Sequence, residues 1–282
     1  MGKKNSLSMR SKIRAEKERE RRVAIGMFLV FVLIVALSVY FTYQFLNPSQ
    51  NQIRSLSSGL RAAIVDQVSL TFPNQTFIET ATKMLEQANY SVDYYSGEKV
   101  TVNFFRNLSA QGYGLIVLRI HSSAASIEGK EFVETPVSLF TCESYSTNKY
   151  VWEQLNEQLV IGSYSMPQPP YYFGITPKFV TSSMNGRFQK TTVLMMGCEG
   201  LDNAEMAEAF TEKGAKTYVS WNGSVSESYA DQATIQLLQY LVAEKQTIKQ
   251  AVQNTLKKIG PDPACNNTLE YYPLESGDYS LQ

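Results

Sequence analysis

The only histidine of this chain, His121, ends an apolar run, "LIVLRIHSS" (residues 115–123), and one of its three cysteines, Cys198, ends another, "TTVLMMGCEG" (residues 191–200). Runs of this kind suit parallel strands covered on both faces. Sites in open α/β sheets form outside the carboxyl ends of the strands. Two such strands lying close together and running the same way would bring imidazole and thiol to one edge. A paired imidazole takes the thiol proton and leaves a thiolate, a nucleophile at neutral pH. The expected chemistry is nucleophilic, with His121 as base and Cys198 as nucleophile. A redox-active thiol is the weaker alternative, because no second cysteine lies close in sequence. One histidine and no CxxC supply no recognisable ligand set, so no metal and no cofactor is expected.

The surrounding elements read as alternating strands and helices. Strand candidates are "AAIVDQVSLT" (62–71), "YSVDYYSG" (90–97), the two runs above, "PVSLFTCES" (136–144) and "AKTYVSW" (215–221). Apolar residues at helical spacing mark helices over 74–89, 100–110 and 228–245. Asp202-Asn-Ala-Glu205 reads as a capping box opening a helix that Gly214 stops. That places a helix N-terminus close behind Cys198, where it would favour negative charge on the sulfur or on an oxyanion. Thr247–Gln250 is expected to cap a last helix closed by Gly260-Pro261. Residues 143–190, with "YSMPQPPYYFG", read as a long loop or a small subsheet. The alternation predicts an α/β sandwich with a mostly parallel sheet between helices.

The start of the chain has a different character. The first 22 residues hold nine Lys/Arg against three Glu, a net of +6, and the rest of the chain is −6. Val23–Phe45 is uncharged and long enough to cross a bilayer as a helix. Basic residues stay on the cytoplasmic side, so the N-terminus is expected inside and the remainder outside. An anchor is preferred to a cleaved signal peptide, because the apolar stretch exceeds a usual h-region and "NPSQNQ" lacks a small-x-small site. The expected organisation is a basic cytoplasmic tail (1–22), a transmembrane helix (23–46), a stalk (47–59) and an extracytoplasmic α/β domain (60–282). Five Asn-X-Ser/Thr sequons, at Asn74, Asn89, Asn107, Asn222 and Asn266, agree with that side of the membrane. The acidic outer region argues against a nucleic-acid partner.

The His-ended and Cys-ended strands, with the helix–strand pair "MAEAFTEKGAKTYVSWNG" behind the cysteine, resemble the caspase-like fold of the clan CD cysteine peptidases (caspases, legumains, gingipains, separases). The resemblance spans about residues 60–260. It implies a caspase-like α/β domain in which His121 and Cys198 form a dyad that hydrolyses peptide bonds through an acyl-enzyme. Ser122, Gly197 and Gly200 would then shape the turns and the oxyanion site, together with the Cys198 amide. Where the family usually has Gly after the histidine, this chain has Ser122, and the cysteine stands in "GCEG" rather than "QACRG". The strand after the cysteine strand would help line the substrate pocket. Trp221 would then be a wall, and Glu227 or Asp231 an attractor of a basic side chain, although both acids also suit the start of a helix. Cys142 and Cys265 are the candidates for a disulfide, which would leave Cys198 free. The expected partner is a protein or peptide substrate, besides the membrane itself. The rival reading is a catalytically silent caspase-fold surface module that binds protein or peptide.

Overall fold

The computed structural model describes residues 26–27, 30–38, 60–128, 131–164 and 169–281, and the chain divides into two units, Met1–Ser58 and Gly59–Gln282. In the first unit residues 30–38 are helical, with apolar side chains such as Phe31, Leu33 and Ile34 exposed. Among the described residues no helix is long and apolar enough to cross a membrane. Most of the 23–46 segment and the whole of the expected tail and stalk lie outside them.

In the second unit, five parallel strands and one antiparallel edge strand form a central sheet. β1 (Leu60–Asp66), β2 (Tyr90–Ser96), β3 (Leu115–Arg119), β8 (Thr192–Met195) and β9 (Thr217–Trp221) run the same way, and β10 (Leu269–Tyr272) runs against β9. The order across the sheet is β10-β9-β8-β3-β1-β2. Thus β3 and β8 are direct neighbours, in register from Leu115↔Thr192 to Leu118↔Met195. Alternate residues of each strand enter opposite layers. Val65, Ile116, Leu118, Val193 and Met195 pack with α2 (Val102–Leu108), α4 (Pro177–Ser183) and α5 (Glu205–Glu212). Ile64, Leu115, Val117, Leu194 and Val219 pack with α1 (Gln75–Gln87), α6 (Glu227–Leu238) and α7 (Ile248–Ile259). Burial on both faces explains why these strands read as continuous apolar runs.

A second, antiparallel sheet, β4-β5-β7-β6, is made from β4 (Ser122–Glu128), β5 (Glu131–Ser144), β6 (Leu159–Gly162) and β7 (Tyr172–Ile175), with the short α3 (Val151–Leu155) between β5 and β6. "PVSLFTCES" therefore joins this side sheet and not the parallel one. The least legible region, 143–190, supplies its other two strands. α7 has the expected capping box, with Thr247 and Gln250 bonded reciprocally, and Gly260 closes it at φ +77°.

The strand expected over 62–71 ends at Asp66 and gives way to a 3-10 turn over Gln67–Leu70, and the expected capping box does not form. α5 begins at Glu205, and Asp202 does not cap it; Asn203 Oδ1 instead takes the Glu205 amide at 3.1 Å. The residues from Cys198 to Ala204 form turns, so the helix start lies seven residues beyond the cysteine. Its end charge falls off within the first turn and does not act on the thiol.

Candidate functional site

β3 ends at Arg119 and β8 at Met195, so His121 and Cys198 stand just past the carboxyl ends of neighbouring parallel strands. Both line one cleft together with Val68, Met196, Val225, Glu227 and Asp231. The proposed base, nucleophile and acidic residues are thereby brought to one place.

His121 is fixed from three sides. Its backbone N–H donates to Gln67 Oε1 at 2.8 Å, and its carbonyl accepts the Phe140 amide at 2.9 Å. Its ring packs on Tyr164 with centroids 4.5 Å apart, and Nε2 lies 3.0 Å from Thr71 Oγ1. Nδ1 stays uncommitted among the described residues. Burial lowers the imidazole pKa, against an upward pull from Glu227 and with a further downward push from Arg119.

The Cys198 thiol sits between the amide and carbonyl of Val225: Val225 N–H donates to Sγ at 3.4 Å, and Sγ donates to Val225 O at 3.5 Å. No hydrogen bond joins it to His121. Burial raises the thiol pKa, the Val225 amide opposes that, and Glu199, Glu227 and Cys265 add to the rise. Both shifts favour the uncharged forms, thiol and imidazole. Active-site hydrogen bonds commonly tighten only when substrate binds.

The two turns have donors to offer. The Cys198 amide has no acceptor among the described residues. Ser122 faces Leu139 in the hairpin, and the nearby ladder bond runs from Phe140 N–H to His121 O. That pattern makes Ser122–Leu139 a non-hydrogen-bonded pair, with the Ser122 amide turned away from β5. Gly197 instead spends its amide on Met195 Sδ at 3.0 Å, so its place in the site is steric. A Cβ on Gly197 would strike the Ile120 carbonyl and come within 2.6 Å of Ser122 Oγ. Gly200 is also a packing residue, with Met195 Cε 2.7 Å from where its Cβ would be.

Three residues depart from their expected roles. Trp221 is fully buried among core residues and tilted against Tyr229, so it is no pocket wall. Cys142 and Cys265 are free thiols. Cys142 bonds to Gln67 O at 3.4 Å, and burial pushes its pKa up to about 11. Cys265 belongs to the segment after α7, where Asp262 holds the Ser226 amide at 2.6 Å, and lies within electrostatic reach of Cys198. The expected disulfide between Cys142 and Cys265 is therefore absent.

Sequence reasoning passed over the group beneath the cleft. Arg119 donates to Asp66 Oδ1 at 2.6 Å, to Asp231 Oδ1 and Oδ2 at 2.6 and 2.9 Å, and to the Phe72 carbonyl at 2.9 Å. Tyr94 OH adds a bond to Asp66, and Asn74 Nδ2 one to Asp231. Burial alone would lower the guanidinium pKa, but the two carboxylates reverse this and raise it. Asp231 thus already has a basic partner, Arg119, whereas Glu227 is exposed and without an ion pair among the described residues. The signal was present: "LIVLRI" and "AAIVD" each carry a charge inside a run otherwise fit only for a core, and buried charges come in pairs.

Neither the known protein families nor the curated proteins contain a match to this sequence.

Proposed function

We propose that the chain is a membrane-anchored, extracytoplasmic cysteine peptidase of the caspase-like fold, hydrolysing peptide bonds with Cys198 and His121. The observation that carries this reading is the placing of a cysteine and the sole histidine past the ends of adjacent parallel strands, facing one cleft. The N-terminal tail lies in the cytoplasm and the domain outside, on the strength of the basic residues before an uncharged 23-residue stretch.

In the reaction, His121 accepts the thiol proton as Cys198 Sγ attacks the peptide carbonyl carbon. The oxyanion of the tetrahedral intermediate takes the Cys198 and Ser122 amides. Protonated His121 passes its proton to the leaving amine as the C–N bond breaks, leaving a thioester. Water, deprotonated by His121, then releases the acid and restores the thiol. Two carboxylates line the cleft: Asp231 is held by Arg119, whereas Glu227 is exposed, and it favours a basic side chain before the scissile bond.

A silent binding module is favoured by one observation, the thiol's bonds to Val225 in place of His121. The two readings part in a labelling experiment on the full chain. A peptidyl acyloxymethyl ketone with Lys at the reactive position should alkylate Cys198 in the wild type and ~100-fold or more slowly in His121→Ala, the scale of general-base catalysis. Equal labelling in both would leave the module and sink the peptidase.

A further inference from the structure

Each candidate catalytic residue is followed by a polar side chain that reaches the other's turn. Ser122, next after His121, donates its hydroxyl to the carbonyl of Cys198. Glu199, next after Cys198, accepts the amide of Ala124 at 2.7 Å with Oε2, three residues past His121. Its Oε1 accepts Ser224 Oγ at 3.3 Å, and its own amide donates to Gly223 O at 2.9 Å. Glu199 is thus tied to β4 on one side and, on the other, to the segment 223–226 that also holds the thiol through Val225.

The backbone of Glu199 makes the arrangement more telling. Its φ is +60°, in the left-handed region, which disfavours a residue with a Cβ and costs glycine almost nothing. A turn that only needed to be made would be better made with glycine. A non-glycine residue in this region persists when its surroundings over-determine it, and such sites gather where geometry matters for function. Here the surroundings include four hydrogen bonds, two to the side chain and two to the backbone, the latter from Glu199 N–H to Gly223 O and from Asp202 N–H to Glu199 O. The lack of a Cβ at Gly197 completes the fit, because Ser122 Oγ occupies the space such an atom would need.

We propose that Ser122 and Glu199 are positioning residues, a reciprocal clamp that holds the His121 turn and the Cys198 turn at the separation the peptidase reaction requires. The inference rests on the peptidase reading for its purpose and on the hydrogen bonds above for its existence. It also settles how the Glu199 carboxylate is directed: it faces the Ala124 amide and the Ser224 hydroxyl rather than the sulfur. Neither side chain exchanges a proton with substrate.

Two variants of Glu199 in the full chain separate a clamp from a simple turn residue. Glu199→Gln keeps an acceptor for Ala124 and offers an NH₂ to Ser224, whose hydroxyl serves equally as acceptor. Glu199→Gly keeps the turn, relieves φ and deletes both side-chain bonds. With a peptide substrate, Glu199→Gln should stay within ~3-fold of wild-type kcat, whereas Glu199→Gly should lose ~10–100-fold in kcat with little change in KM, the scale of a misplacement below 1 Å. Its thermal midpoint should not fall. The His121-dependent inflection in the pH profile of Cys198 alkylation should vanish in Glu199→Gly and persist in Glu199→Gln. Full activity in Glu199→Gly would overturn the clamp. If the wild type has no His121-dependent activity, the peptidase reading fails separately, and hydrogen exchange decides for the clamp: the Ala124 amide should exchange ~5-fold faster in Glu199→Gly than in Glu199→Gln, the loss of about one neutral hydrogen bond. Equal exchange in both would overturn it.

Discussion

Asp231 closes both carboxylate oxygens on Arg119, at 2.6 Å to Nε and 2.9 Å to Nη2, and so joins α6 to the end of the strand that carries His121. Arg119 turns its remaining contacts to Asp66 on β1 and to the Phe72 carbonyl, while Phe72 and Phe77 lie 5.9 and 5.4 Å from the guanidinium carbon. Strand β1, strand β3, the loop after β1 and helix α6 therefore meet on one side chain, directly under the cleft. The bidentate fork is the geometry that arginine, and not lysine, provides.

Removing Arg119 should be among the most destabilising single changes in the domain. Arg119→Met would leave Asp66 and Asp231, 1% and 6% exposed, without their counter-charge. Breaking a buried ionic group in this way costs about 3–5 kcal/mol, more than losing the group as a whole. Urea unfolding at neutral pH should show that loss, and Asp231→Asn a smaller one of about 1–3 kcal/mol, since its other oxygen still accepts. A change below about 1 kcal/mol in Arg119→Met would mean that the group is hydrated and not a buried anchor.

Glu227 is the acid left over for a ligand. It lines the cleft one helical turn before Asp231, is exposed, and has no counter-ion among the described residues. If the peptidase reading holds, Glu227→Gln should lower kcat/KM for Lys or Arg before the scissile bond by about 3–10-fold, with neutral residues unaffected. An exposed charge contributes about 1 kcal/mol or less, and salt screens it. The preference should therefore shrink between 20 mM and about 500 mM salt in the wild type and be flat in the variant. An unchanged preference would show that specificity arises elsewhere.

The same acid and the same arginine mark how far the sequence could be read. Burial on both faces makes β1, β3, β8 and β9 legible, because a strand covered on each side must be apolar throughout. Their common direction and adjacency placed His121 and Cys198 correctly at one edge. The side sheet was legible only as one of two alternatives, a long loop or a small subsheet, since β6 and β7 are four-residue strands inside a stretch rich in proline and aromatic residues, where no period can establish itself. β10 was missed for a related reason: "LEYY" owes its conformation to pairing with β9, a long-range contact. The false capping box shows the opposite failure, a local pattern overruled when Glu199 and Gly200 turned the chain before Glu205. Trp221 was misread because its position along the strand is visible in sequence while its face is not. It points into the layer of α6 and α7 and so contacts the core in place of a substrate.

The acid limit of stability should depend on His121. Burial lowers its folded-state pKa below the ordinary value of about 6.5, against a partial rise from Glu227. Below pH 6.5 the unfolded chain binds a proton that the folded chain resists, so the unfolded state holds more protons and stability falls as pH falls. The contribution is complete above the unfolded pKa and is lost on descending toward the folded one. Thermal midpoints measured from pH 7.5 to 5 should drop less steeply in His121→Gln than in the wild type. Parallel curves would show that the imidazole is protonated as easily in the fold as in water.

Gly197 offers the sharpest steric prediction, because nothing around it can move cheaply. A Cβ there would meet the backbone carbonyl of Ile120 and the hydroxyl of Ser122, both belonging to the turn that carries His121. The neighbour is main chain at the end of a strand whose residues are buried on both faces, and a core at crystal-like density yields only by shifting backbone. Gly197→Ala should therefore cost about 1–3 kcal/mol in urea unfolding. The same change should push the His121 and Cys198 turns apart and reduce His121-dependent labelling of Cys198. Gly114 is the control, on the same strand's other end. A Cβ there would find its nearest neighbour, the Arg61 carbonyl, at 3.8 Å, an ordinary contact. Gly114→Ala should leave stability within about 0.5 kcal/mol and labelling unchanged. If both alanine variants behave alike, the close approach of the β3 and β8 turns is not what fixes the site.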